Sequence, residues 1–282
     1  MRLHCEIRGA GFPILCLHGH PGSAKTMSVF TESLSDRYQT LAPDLRGYGR
    51  SRTSLPFELE DSLTDLVELL DAQGIERCLV LGWSLGGILA IELALRYPDR
   101  VAGLVLIATA ARPVGAHPPV AWPELVNTGL ASLLNVVIPA HPWVINGLGK
   151  RSLYRYLLRQ HTPRAYHRLA KEGFAAYLGT SPQANRALNR ALSRRYNRLP
   201  DLKAIAVPCL VLCGAEDRHI TAQASLETAA HLPVAESHCY PDTAHLLPWE
   251  ISEQMLHDIH HWLAQQRQAL GLERTINSGH TP

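Results

Sequence analysis

The chain has no Cys-x-x-Cys pair, no apolar run long enough to span a bilayer, and few charges, with Asp, Glu, Lys and Arg making up 18% of 282 residues. The first absence removes the usual redox and zinc-ribbon readings, and the second removes a transmembrane helix. No secretory signal is expected either, because Arg2, Glu6 and Arg8 interrupt the opening residues before any apolar core, so the cytoplasm is the expected compartment. Cofactor signals are equally scarce. Gly9-Ala10-Gly11 begins like a dinucleotide fingerprint, but it precedes an apolar run instead of following one, and it reads as a hairpin turn. His257, His260 and His261 share one side of the last helical segment without a supporting carboxylate motif, so no metal and no organic cofactor are expected. The six cysteines read as reduced, buried small hydrophobes; Cys209 and Cys213 on one extended strand would stand about 13 Å apart, beyond disulfide reach.

What is present is alternation. Short aliphatic runs near 2–8, 13–18, 38–43, 77–82, 101–108, 207–213 and 236–240 are separated by helix-period segments near 23–36, 59–73, 85–96, 221–231 and 250–266. Strand-helix alternation predicts an α/β fold with a mostly parallel sheet covered by helices on both faces. From 111 to 203 the alternation stops. A proline-rich entry leads into helical segments near 123–137, 150–160, 164–178 and 183–197. The expected organisation is therefore a core of 1–110 and 204–270, a helical lid inserted at 111–203, and a flexible tail at 271–282.

Chemistry concentrates at the strand ends. Leu79-Val80-Leu81-Gly82-Trp83-Ser84-Leu85-Gly86-Gly87 runs an apolar strand into a serine with glycine two residues to either side and a helix behind it. A turn that sharp needs small neighbours, and it would lift Ser84 clear of the backbone with the helix N-terminus aimed at any oxyanion beside it. A hydroxyl needs a base, and the base needs a carboxylate to set its tautomer. Asp217 follows the strand ending at Cys213, and His245 follows the strand near 236–240, with Asp242 as the alternative acid. His18-Gly19-His20-Pro21-Gly22 follows the strand ending at Leu17 and could turn the backbone N–H of His20 toward that of Leu85, making a two-donor oxyanion hole.

These segments, with Pro43-Asp44-Leu45-Arg46-Gly47-Tyr48-Gly49-Arg50-Ser51, resemble the α/β-hydrolase superfamily over everything except the lid. The resemblance implies an eight-stranded sheet, a triad in the chain order Ser84, Asp217, His245, no organic cofactor, and a loop-shaping role for 44–51. A serine at position 84 excludes the aspartate-nucleophile branch of dehalogenases and epoxide hydrolases. The expectation is a serine hydrolase acting on a carboxylic ester or thioester. Carbon–carbon bond hydrolases, cofactor-free perhydrolases and peptidases share the same triad, and a non-catalytic binding protein on this scaffold is the alternative of another class.

The lid adds a charge asymmetry. Residues 150–203 hold thirteen basic against two acidic residues, leaving −9 for the rest of a chain whose net charge is +2. Arg151/Arg155/Arg159 and Arg186/Arg190/Arg194/Arg198 recur every four residues, a spacing that would stack like charges on one helix face and ask for an anionic counterpart. An acidic acyl carrier protein or a coenzyme A ester is the expected partner, docking on the first six of these arginines. Gly82-Trp83-Ser84-Leu85-Gly86-Gly87 with such a lid is similar to the pimeloyl-acyl-carrier-protein methyl ester esterases. Neither nucleic acid nor an integral membrane segment is expected.

Overall fold

Runs such as Leu79-Val80-Leu81 and Leu104-Val105-Leu106 are apolar on both sides, which suits a strand covered above and below, and all six residues are buried. In the computed structural model, which describes residues 1–271, they belong to a sheet of β1 (Cys5–Arg8), β2 (Pro13–Leu17), β3 (Gln39–Pro43), β4 (Cys78–Trp83), β5 (Val101–Ile107), β6 (Cys209–Gly214) and β7 (Ala235–Tyr240). The order is β1-β3-β2-β4-β5-β6-β7. Only β1 runs antiparallel to its neighbour. The seven strands are the seven apolar runs of the sequence. An eighth is not present among the described residues: the chain ahead of β1 runs to the helix over Asp61–Ala72, where the Met1 ammonium pairs with Asp65, and Leu3 enters the core. The turn at 9–11 is not a hairpin, since β3 lies between β1 and β2.

Helices α1 (Ser28–Leu34) and α11 (Ser252–Gln265) bring Phe30, Ile259 and Trp262 into the core on one face of the sheet. On the other face α2 (Asp61–Ala72) and α3 (Leu85–Arg96) contribute Leu66 and Ile91 to a second core, and α9 (Ala222–His231) packs Ala229 against it. The strand order doubles back at β2 and β4, so the carboxyl ends of β2, β4, β6 and β7 open toward one crevice, where such sheets bind ligands. The tail expected at 271–282 lies, from 272 on, outside the described residues.

Between β5 and β6 the chain is helical: α4 (Trp122–Val137), α5 (Tyr154–Leu157), α6 (Pro163–Arg168), α7 (Phe174–Gly179) and α8 (Pro182–Ser193), with α10 (Leu247–Glu250) following later in the core. Helix α8 starts where its sequence says it should, with Pro182 in its first turn and the Ser181 hydroxyl accepting from the Ala184 N–H at 3.1 Å. The helix expected over 150–160 is absent. Ser152 turns its hydroxyl back to the Gly149 carbonyl, and the N–H groups of Arg159 and Gln160 go to Glu250, leaving α5 a single turn. Arg151, Arg155 and Arg159 therefore do not share a helix. Nor are all the cysteines buried: Cys16, Cys78, Cys209 and Cys213 are, Cys5 is half-buried and Cys239 is exposed. Among the described residues no helix is long and apolar enough to cross a membrane.

Candidate active site

Ser84 sits between β4 and α3 at φ 53° and ψ −114°, a strained conformation for a residue with a side chain. The chain around it holds that strain. The Ser84 N–H donates to the Ile107 carbonyl at 2.8 Å, and the Thr109 hydroxyl donates to the Ser84 carbonyl at 2.8 Å. The flanking glycines are needed for close approach: a Cβ on Gly82 would stand 2.3 Å from the Gly86 carbonyl oxygen, and one on Gly86 would stand 2.0 Å from that of Leu17.

The structure brings the three side chains singled out by the sequence into one hydrogen-bonded line. His245 Nδ1 donates to Asp217 Oδ2 at 2.8 Å, which leaves Nε2 free to accept from Ser84 Oγ at 3.1 Å. The other carboxylate oxygen, Oδ1, accepts from the backbone N–H groups of His219 at 2.7 Å and Ile220 at 3.0 Å, so Asp217 is both satisfied and fixed in angle. All three residues are buried. Asp242 is elsewhere, exposed and facing Arg159 at 3.9 Å.

The loop after β2 lies against the serine, close enough that a Cβ on Gly19 would be 3.1 Å from Ser84 Cβ. Among the described residues neither the His20 nor the Leu85 backbone N–H has an acceptor in the protein. Burial holds His18 down to about 4, so the ring is neutral; its Nε2 accepts from the Leu45 N–H at 3.1 Å and its Nδ1 donates to the Gly19 carbonyl at 2.8 Å. Asp44 completes the clamp. Its two oxygens accept from the N–H groups of Ala24 at 2.7 Å and Arg50 at 2.8 Å, tying the 18–24 loop to the 44–51 segment. The His20 ring bonds the Tyr48 hydroxyl at 2.9 Å, and Asn185 of α8 reaches it from the lid.

Four supporting groups had no sequence signal beyond their neighbourhood. His18, whose ring accepts from the Leu45 N–H, is the first. His219, itself exposed, packs edge to face on His245 with ring centroids 4.6 Å apart, and partial desolvation together with the neighbouring His245 lowers its affinity for a proton. Trp83 Nε1 donates to the His245 carbonyl at 3.3 Å. Glu250 accepts from the Ala244 N–H at 2.9 Å with one oxygen and from the lid N–H groups of Arg159 and Gln160 with the other. Burial pushes its carboxyl above the usual range, opposed by those three donors.

The six lid arginines do not form one free cluster. Arg155 pairs with Glu124, Arg159 faces Asp242, and Arg190 and Arg194 share Glu58 at 3.3 Å each. The anionic counterpart asked for by the spacing thus lies largely within the chain. Arg151 and Arg186 have no ion-pair partner among the described residues. Of the three late histidines, His260 bonds Ser33 and His261 bonds Gln265.

A buried serine–histidine–carboxylate line at the carboxyl edge of a doubly wound sheet defines a hydrolase-type site. The chain belongs to the alpha/beta hydrolase fold family, whose model matches residues 13–250, and it is a hydrolase. It is 31% identical to a 2-hydroxymuconate semialdehyde hydrolase from Pseudomonas putida over 94% of this chain and 91% of that protein. It is 28% identical to a pimeloyl-[acyl-carrier protein] methyl ester esterase from Edwardsiella ictaluri over 82% and 85%. Among solved structures, a thermophilic esterase from Thermogutta terrifontis superposes with a TM-score of 0.72 at 26% identity over 93% of each chain.

Proposed function

We infer that this hydrolase cleaves a carboxylic ester through an acyl-enzyme on Ser84. The observation that carries the reading is the hydrogen-bonded line: Nδ1 of His245, 2.8 Å from the Asp217 carboxylate, must donate to it, so Nε2, 3.1 Å from Ser84 Oγ, is the nitrogen left to take the proton. Ser84 Oγ attacks the carbonyl carbon as His245 removes its proton, and the amides of His20 and Leu85 receive the developing oxyanion. One such donor typically supplies about 3 kcal/mol of barrier lowering. The imidazolium then returns the proton to the departing alcohol. A water activated by the same imidazole attacks the acyl-enzyme, releasing the acid and regenerating Ser84.

The acyl group is delivered on an acidic carrier protein or a coenzyme A ester, a reading supported by the uncompensated cations Arg151 and Arg186 and by the likeness to the pimeloyl-[acyl-carrier protein] esterase. A second reading, hydrolysis of a carbon–carbon bond by the same three residues, is favoured by the 31% identity to the semialdehyde hydrolase across nearly the whole chain. Fluorophosphonate labelling of the wild type and not of Ser84→Ala is expected, and a folded, unlabelled wild type would overturn the nucleophile assignment. Turnover of a nitrophenyl ester, a carrier-linked methyl ester and 2-hydroxymuconate semialdehyde then separates the substrate classes. Preference for the last refutes ester hydrolysis as the main activity, and Arg186→Glu that leaves carrier-linked turnover untouched refutes docking there.

A further inference from the structure

Helix α4 is packed inside out. Its buried residues are Glu124, Ala131 and Asn135, two of the three polar, while Trp122, Leu125, Val126, Leu130, Leu133 and Val137 repeat at spacings of three and four along the opposite side and are exposed. Trp122 is 75% exposed and Val137 71%, at the two ends of the stripe.

The inward face is held by specific bonds. Asn135 donates to the Tyr166 carbonyl at 2.6 Å and accepts from the Ala140 N–H at 2.8 Å; Thr128 accepts from the Leu153 N–H at 3.0 Å; Ser132 meets the Tyr154 hydroxyl at 2.6 Å. Rolling α4 over to bury its apolar side would break all of these. The outward stripe is therefore fixed by the fold, and a surface of that size and continuity marks a binding face.

Charge identifies the occupant. From 113 to 149 the sequence has one charged residue, Glu124, and it is buried against Arg155. Cations follow immediately. Arg151 adjoins α4, its carbonyl accepting from Asn127 Nδ2 at 3.0 Å, and both Lys150 and Arg151 are exposed with no ion-pair partner among the described residues. A second copy seated on the stripe would bring two like-charged borders together. An acidic protein would have to match about 24 Å of helix face that offers it no charge. An anionic lipid surface satisfies both parts, with the apolar side chains at the acyl boundary and the cations at the headgroups.

We propose that the lid docks on anionic lipid–water interfaces through the outward face of α4, bordered by Lys150 and Arg151. This is a property of the surface and does not depend on which bond Ser84 attacks. The test is sedimentation of the full chain with phosphatidylcholine vesicles, with or without phosphatidylglycerol, read together with tryptophan emission. At least tenfold stronger binding to the anionic vesicles is expected, weakened by salt and accompanied by a blue shift. Leu125→Asp with Leu133→Asp should lose at least tenfold in binding at an unchanged melting temperature. Val137→Asp alone serves if the pair does not fold. Lys150→Glu with Arg151→Glu should abolish the preference for anionic lipid. A wild type that binds neither vesicle, aspartate variants that bind as the wild type does, or a dimer in light scattering that the same aspartates dissociate would each overturn the proposal.

Discussion

Glu250→Gln isolates the link between lid and site. The carboxylate holds three N–H groups, Arg159 and Gln160 on Oε2 at 2.8 and 2.6 Å and Ala244 on Oε1 at 2.9 Å. A glutamine has a single acceptor. Its best orientation keeps the oxygen on the two lid N–H groups and turns its NH2 toward Ala244, donor against donor. One hydrogen bond to a charged acceptor is lost, about 1.5–3 kcal/mol, so a fall of about 3–12 °C in Tm is expected at roughly 2–4 °C per kcal/mol. The loss falls on the residue before His245. Misalignment of the base should lower kcat about ten- to a hundredfold on a nitrophenyl ester while KM stays nearly constant. Glu250→Ala orphans all three donors and should accumulate little folded protein. A glutamine variant with wild-type Tm and kcat would refute the reasoning, because it would mean that the carboxyl is neutral in the native protein and that its charge organises nothing.

Two further outcomes test the oxyanion loop. Gly19→Ala places a Cβ 3.1 Å from Ser84 Cβ and 3.2 Å from the Trp83 carbonyl oxygen, so the loop must shift by a few tenths of an ångström. About a tenfold fall in kcat is expected with little change in Tm, and an unaltered kcat would detach this loop from the chemistry. His18 is fully buried and held down to about 4 against an ordinary 6.5. The unfolded chain takes up that proton first, so stability is intact above pH 6.5 and falls as the pH drops toward 4, by up to about 3 kcal/mol. Urea unfolding across this window should show a steeper acid loss in the wild type than in His18→Asn, and equal slopes would exclude a neutral His18.

The central strands were legible because a strand covered on both faces writes itself as an uninterrupted aliphatic run, as in β4 and β5, whereas the edge strands β1 and β7 are polar and partly exposed and were marked mainly by their place in the strand-helix alternation. Topology was not legible. Whether β1 turns back onto β2 or crosses to β3 depends on which neighbour it pairs with, and Gly9-Ala10-Gly11 permits either path. The lid was legible where a helix has its own cap, as Ser181-Pro182 gives α8, and illegible around 150–160, where a helix-period pattern lost to hydrogen bonds with Glu250, ninety residues away in sequence.

At the site the same division applies. Ser84, Asp217 and His245 are legible because each sits just past a strand whose end the apolar run marks, and because glycines flank the serine at spacings that only a sharp elbow requires. His18 and Glu250 serve the loops around them by accepting backbone N–H groups, and any well-placed acceptor could do so, so nothing in residue type or spacing distinguishes them from ordinary polar residues; Asp44 was legible only as part of the loop-shaping 44–51 segment. The outward stripe of α4 was hidden for a related reason. Apolar periodicity gives the helix but not which side faces the protein, and the usual inference that the apolar side is buried fails here because Asn135, Thr128 and Ser132 bind inward. The direction of an amphipathic helix is thus decided by its polar residues finding partners, and a lid whose polar side is fully engaged has only its apolar side left to meet a surface.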